Sequence, residues 1–106
     1  MSLNKRLAER IRQGRQELGL SQFELGVLAK IDEATAKSRI SHYETGFNIP
    51  TLKTLEQLAL AMNVPVSWFF CEDDEVELIT LLHRQSSEER HKTIQAILGA
   101  IKDELF

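Results

Sequence analysis

The chain has 106 residues, 42% of them hydrophobic and 27% charged, which suits one packed domain with a short appendage and excludes both two independent domains and an unfolded polar chain. No apolar run approaches the roughly 20 residues of a membrane span and the amino terminus lacks the apolar core of a secretory signal, so a cytoplasmic location is the expectation; the one cysteine, Cys71, excludes an internal disulfide. The net charge of -3 is unevenly spread, with 9 Lys+Arg against 7 Asp+Glu in residues 1–70 and 4 against 9 in residues 71–106, so that only the first segment suits an approach to phosphate.

Met1 to Leu3 carry no assigned element. From Asn4 to Leu18, Leu7, Ile11 and Leu18 recur at helical spacing, and Gly19 stands where a left-handed residue would close the helix. Ser21-Gln22-Phe23-Glu24 has the spacing of a capping box, which predicts a second helix from Gln22 to about Lys30. Beyond the polar stretch around Asp32, Ala36, Ile40 and Tyr43 make one buried stripe on a third helix that Gly46 ends. Thr51, after Pro50, is the expected N-cap of a fourth helix carrying Leu52, Leu55, Leu58, Leu60 and Met62. Pro65 opens a short fifth, with Trp68 and Phe69 as core anchors. The acidic run Glu72 to Glu75 favours the start of another helix, with Val76, Ile79 and Leu82 on its apolar face. A second capping box, Ser86-Ser87-Glu88-Glu89, begins the last helix, whose Ile94, Ile97, Leu98, Ile101 and Leu105 form a narrow stripe. No segment alternates with a period of two, so the expected fold class is all-α: five helices followed by a helical hairpin.

Second and third helices separated by a polar turn are the arrangement that carries one helix into a DNA major groove. The runs Gly19-Leu20-Ser21-Gln22-Phe23-Glu24-Leu25, Arg39-Ile40-Ser41-His42-Tyr43-Glu44-Thr45-Gly46, Ile49-Pro50-Thr51-Leu52 and Asn63-Val64-Pro65-Val66-Ser67-Trp68-Phe69-Phe70 resemble the Cro/phage-repressor family, also called the xenobiotic-response-element family. The resemblance spans about residues 4 to 70 and divides the chain into a helix-turn-helix DNA-binding domain, 1–70, and an acidic helical extension, 71–106.

That resemblance implies that Ser21 and Gln22 lie beside DNA phosphates at the amino end of the second helix, with Ser21 first of all a cap. It also places Lys37, Ser38, Ser41 and His42 on the outward face of the third helix, and the buried stripe independently leaves those positions outside the core. Lys37 or Arg39 suits guanine O6 and N7, Ser38 and Ser41 suit several bases, and His42 suits a base acceptor or a phosphate. Thr45, Asn48, Thr51 and Lys53 suit phosphate contacts that fix register. Arg15 and Glu44 match a buried ion pair joining the first helix to the end of the third. One departure stands out: about four residues more than the family pattern separate Leu25 from Ile40, and Lys30 occupies the place of a turn glycine. Either Asp32 caps a recognition helix lengthened by one turn, or Ile31 to Ala34 form a longer loop; each alternative moves Glu33, Thr35 and Lys37 relative to the groove.

For the extension, the stripes either pack back on the five-helix domain or pair with the same hairpin of a second chain, and the two-fold symmetry of half-site recognition favours the second arrangement, with Ile94, Ile97, Leu98, Ile101 and Leu105 at the contact. A third arrangement has the stripe receive an antagonist or a toxin protein. No glycine-rich phosphate loop or thiol–histidine pair suggests an enzyme. His42, His83 and His91 with a single cysteine lack the spacing of a zinc site, so no metal and no cofactor are expected. The reading is a dimeric repressor of a palindromic operator; its rival is an antitoxin-like module that neutralises a partner and regulates itself through DNA.

Overall fold

The computed structural model of the protein describes residues 2–105, which hold six α-helices and no strand. Helix α1 runs Leu3–Glu17, α2 Gln22–Leu28, α3 Ala36–Thr45, α4 Leu52–Met62, α5 Val76–Arg84 and α6 Ser87–Leu105. The start of α1 lies earlier than the periodicity suggests, because Ser2 accepts from the Lys5 N–H at 3.2 Å and makes Leu3 the first helical residue. Met1 lies outside the described residues. Gly19, with φ of 67°, turns the chain out of α1 as expected.

Where a short fifth helix was expected, a single 3-10 turn, Val66–Phe69, follows Pro65. Four residues close one turn with either hydrogen-bonding pattern, and this one serves to seat Trp68 and Phe69, both buried, against α1 and α4. Ile11, Leu25, Ile40, Leu58, Met62 and Phe69 are the large side chains at the centre of the core, contributed by α1, α2, α3, α4 and the 3-10 turn. Not every apolar position joins them. Leu18, the cap that follows α1, and Leu52 and Leu60 of α4 are exposed.

The turn before α3 departs from the second-helix expectation and resolves the two alternatives for the extra residues. Helix α2 ends at Leu28, two residues short of Lys30, and Lys30 takes a left-handed φ of 64° that reverses the chain. From there residues 31–35 form a loop: Ile31 is buried as an anchor, the Asp32 carboxylate accepts from the Ala34 N–H at 3.2 Å, and the Asp32 carbonyl accepts from the Thr35 N–H at 3.0 Å. Asp32 thus organises a loop and does not cap a longer helix. A lysine in the left-handed region pays a steric penalty of about 1–2 kcal/mol, and glycine's greater freedom in the unfolded chain returns part of the gain. Lys30→Gly should therefore stabilise the fold by about 0.5–1 kcal/mol, read as a higher denaturation midpoint; a midpoint at or below wild type contradicts the strain.

The two helices of the extension behave differently. Val76 and Ile79 of α5 pack against the core, and Arg84 donates to the carbonyls of Asn63 at 3.1 Å and Met62 at 3.3 Å, satisfying the end of α4. The chain leading into α5 is held by α1: Arg6 donates to the Phe70 carbonyl and pairs with Glu72, while buried Arg10 donates to the Cys71 carbonyl at 2.9 Å and to Asp73 at 2.8 Å. Cys71 itself is buried, its thiol 3.3 Å from the Trp68 carbonyl. Helix α6 instead packs on α5. Ser86 accepts from the Glu89 N–H at its start, and Arg90 donates to the carbonyls of Leu82, His83 and Gln85, closing the end of α5 and setting the hairpin. The radius of gyration of 16.0 Å and long axis of 55 Å, against about 13 Å for a compact chain of this length, agree with α6 standing away from the body. Its stripe divides accordingly: Ile94 and Ile97 are half-buried, whereas Leu98, Ile101 and Leu105 are exposed.

Candidate nucleic-acid interface

The site is built on the junction of α2 and α3. Ser21 and Glu24 form the complete capping box: the Ser21 hydroxyl accepts from the Glu24 N–H and the Glu24 carboxylate from the Ser21 N–H, each at 3.0 Å. Donation to the Glu24 carboxylate, first from the Ser21 backbone N–H and second from the Ser21 hydroxyl, holds that carboxyl below its ordinary value. The helices then meet nearly backbone to backbone. A Cβ on Gly26 would lie 2.6 Å from the Ala36 Cβ and 3.0 Å from its Cα, so only glycine permits this approach. It fixes the angle at which α2 presents α3.

On α3, Ala36, Ile40 and Tyr43 are buried, and helical geometry turns Lys37, Ser38, Ser41, His42 and Thr45 away from them. Of these, Ser41 is half-buried and the others are exposed. Ser38 donates to the Thr35 carbonyl at 3.1 Å and Thr45 to the His42 carbonyl at 3.2 Å, so both hydroxyls sit close to the helix surface. Exposed Thr35 donates to the Asp32 carbonyl in the loop before the helix. Arg39 leans off the ridge, its guanidinium 2.6 Å from the Tyr43 hydroxyl and 5.7 Å from the centre of that ring. Asn48 approaches the His42 ring nitrogen at 3.5 Å. Thr51 caps α4 by accepting from the Thr54 N–H at 3.2 Å. Lys53 does not join this ridge: it lines a groove with Leu28, Lys30 and Leu60.

Behind the ridge, Arg15 and Glu44 form the ion pair that the resemblance implied. Two parallel contacts, Nε to Oε2 at 2.7 Å and Nη2 to Oε1 at 3.0 Å, join α1 to the end of α3, and Arg15 also donates to the Leu20 carbonyl at 3.0 Å. The hydrogen bond with Glu44, more than its charge, raises the Arg15 pKa. Half-buried Gln22 reaches the same carboxylate at 3.5 Å. One buried acid therefore ties together the first, second and third helices.

Two features escaped the sequence reading. Lys5 and Arg12 line a cleft of about 550 Å³ between α1 and the segment Tyr43 to Pro50. Their seven-residue spacing, which puts both on the face of α1 away from Ile11, was the available signal. Phe47 is the other, an aromatic side chain 75% exposed at the end of α3, its ring centre 4.9 Å from that of His42.

A family profile described as helix-turn-helix matches residues 11–69. The chain belongs to the Cro/C1-type helix-turn-helix family of DNA-binding transcription regulators. Among solved structures, that of the transcriptional regulator BswR is similar, with 32% identity and a TM-score of 0.74 over 87% of this chain and 92% of that one. A match of that extent cannot be confined to residues 11–69, so the likeness reaches into the helical extension. No curated protein sequence matches. In helix-turn-helix proteins generally, the second helix of the motif is the one that enters the DNA major groove. Among the described residues, no helix is long and apolar enough to cross a membrane.

Proposed function

We propose that this helix-turn-helix protein is a dimeric repressor, located in the cytoplasm, that reads a palindromic operator with α3 in the major groove. The observation that carries the reading is the outward ridge of α3, where Lys37, Ser38, Ser41 and His42 lie beside one another on a helix braced from behind by Gly26 and Glu44. In this reading Lys37 serves guanine, the hydroxyls and His42 serve further base edges, and Ser21, Gln22, Thr35, Thr45, Asn48, Thr51 and Lys53 contribute phosphate contacts around the groove. Arg39, paired with Tyr43, exchanges that contact for one to DNA. Repression follows from occupancy of the operator, and no catalytic step, metal or cofactor enters.

Residues 71–106 serve as the dimerisation region. Exposed Leu98, Ile101 and Leu105 continue the stripe of Ile94 and Ile97 along a helix that leaves the body, and pairing two such stripes removes from water apolar area worth about 25 cal/mol per Å². The surplus of acid in this segment keeps it from DNA.

Sedimentation equilibrium joined to a salt series of duplex binding tests both halves. A concentration-dependent dimer is expected, with the logarithm of affinity falling by about 0.9 for each phosphate neutralised per decade of salt. A monomer at high concentration that still binds DNA overturns the dimer and turns the α6 stripe toward a different protein, the antitoxin-like reading. Absence of duplex binding at low salt overturns the repressor itself.

A further inference from the structure

Between Gly46 and Leu52 the chain carries no charged side chain, yet three large apolar ones stand in water: Phe47 is 75% exposed, Ile49 57% and Leu52 68%. Phe47 is held in place. Gly46 takes a φ of 77°, the Phe47 N–H donates to the Thr45 hydroxyl at 3.4 Å, the Asn48 N–H donates to the His42 carbonyl at 3.2 Å, and the ring sits 4.9 Å from the His42 imidazole at a tilt of 50°. The phenyl ring therefore continues the polar ridge of α3 at its carboxyl end. It is an apolar group on a surface whose other members offer hydrogen bonds.

The geometry points to Phe47 as a specificity-determining residue that reads the C5-methyl group of a pyrimidine in the major groove. This inference rests on the proposal that α3 enters that groove. A base edge offers one apolar feature there, the C5-methyl group, which thymine carries and cytosine lacks unless it is methylated. Continuity with the ridge selects DNA as the occupant. The phenyl ring has no donor with which to hold a phosphate, whatever its polar neighbours Asn48 and Thr51 contact, and the stripe on α6 is the surface proposed for a second copy.

The test uses the full-length protein and the duplex it selects from a random-sequence library at low salt. Each thymine is replaced in turn by deoxyuridine, which removes only the methyl group, and each cytosine by 5-methylcytosine, with wild type and Phe47→Ala measured side by side. One thymine position per half-site is expected at which deoxyuridine weakens wild type about fourfold, the loss of one buried methyl. Phe47→Ala should bind the two duplexes alike, at the level of wild type on deoxyuridine. A gain confined to 5-methylcytosine in wild type assigns the same contact to methylated DNA. Indifference of wild type to every substitution, an equal loss in Phe47→Ala on both duplexes, or loss of the dimer in Phe47→Ala overturns the inference while leaving the DNA reading in place. Failure of wild type to retain any duplex overturns both.

Discussion

Glu44→Ala is expected to destabilise the protein by about 3–5 kcal/mol, the cost of breaking a buried ion pair from one side. The Glu44 side chain is 5% exposed and that of Arg15 15%, so neither charge is well hydrated in the fold. Without the carboxylate, the guanidinium keeps its bond to the Leu20 carbonyl but retains an uncompensated charge against α1 and α3, and Gln22 loses its contact as well. A loss of that size is a large share of the 5–15 kcal/mol typical of a domain's whole stability. The sign of the alkaline dependence follows from the raised Arg15 pKa: the arginine's contribution is complete below its unfolded-state value and is lost only as pH rises through the still higher folded value, so it is constant across neutral pH. Denaturant titration of the single variant is the check. An Arg15→Met/Glu44→Leu double variant should recover much of the loss, since apolar replacement removes the stranded charge. A wild-type midpoint for Glu44→Ala would show that the pair does not brace the fold.

The parts of this architecture that local chemistry determines were legible in the sequence. Spacing identified the buried stripe of α3 because three apolar positions on one helical face leave no other face to bury, and the Ser21–Glu24 box marked the start of α2 to the residue because its hydrogen bonds are local. Asp32 shows where such reading stops. Its carboxylate can cap a helix or organise a loop with the same accepting oxygen, and the choice was made by distant partners: Ile31 and Ala36 both enter the core, and Lys30 must reverse the chain to let them. The extension shows the same limit. Helices α5 and α6 carry similar stripes, and what separates them is long-range, with Arg6, Arg10 and Arg84 holding α5 and its approach to the body while α6 has α5 to rest on. Phe47 was passed over for a simpler reason. It belongs to no periodic stripe, cap or turn motif, so nothing local says whether its ring is buried, and only its tertiary surroundings leave it in solvent.

The triple variant Lys37→Ala, Ser41→Ala, His42→Ala is expected to remain folded and to lose recognition of the duplex that wild type selects by on the order of a hundredfold or more, since good base contacts are worth about 1–3 kcal/mol each. Folding should survive because Lys37 and His42 are exposed, Ser41 is half-buried without a hydrogen bond that supports the core, and alanine favours the helix. Matching circular dichroism and thermal midpoints would establish that point before any binding is compared. The salt series then separates positioning from reading. Removing one lysine should lower the salt slope by about 1 if Lys37 reaches a phosphate, whereas contacts to base edges reduce affinity for the selected site much more than for random duplex and leave the slope nearly unchanged. The α3 ridge thus makes a sharper demand than general affinity for DNA: the folded triple variant should approach the non-specific binding of wild type on random duplex. Retention of wild-type preference by that folded variant would move the reading surface off α3, toward Lys30 and Lys53 on the groove beyond α2 or Lys5 and Arg12 on the face of α1.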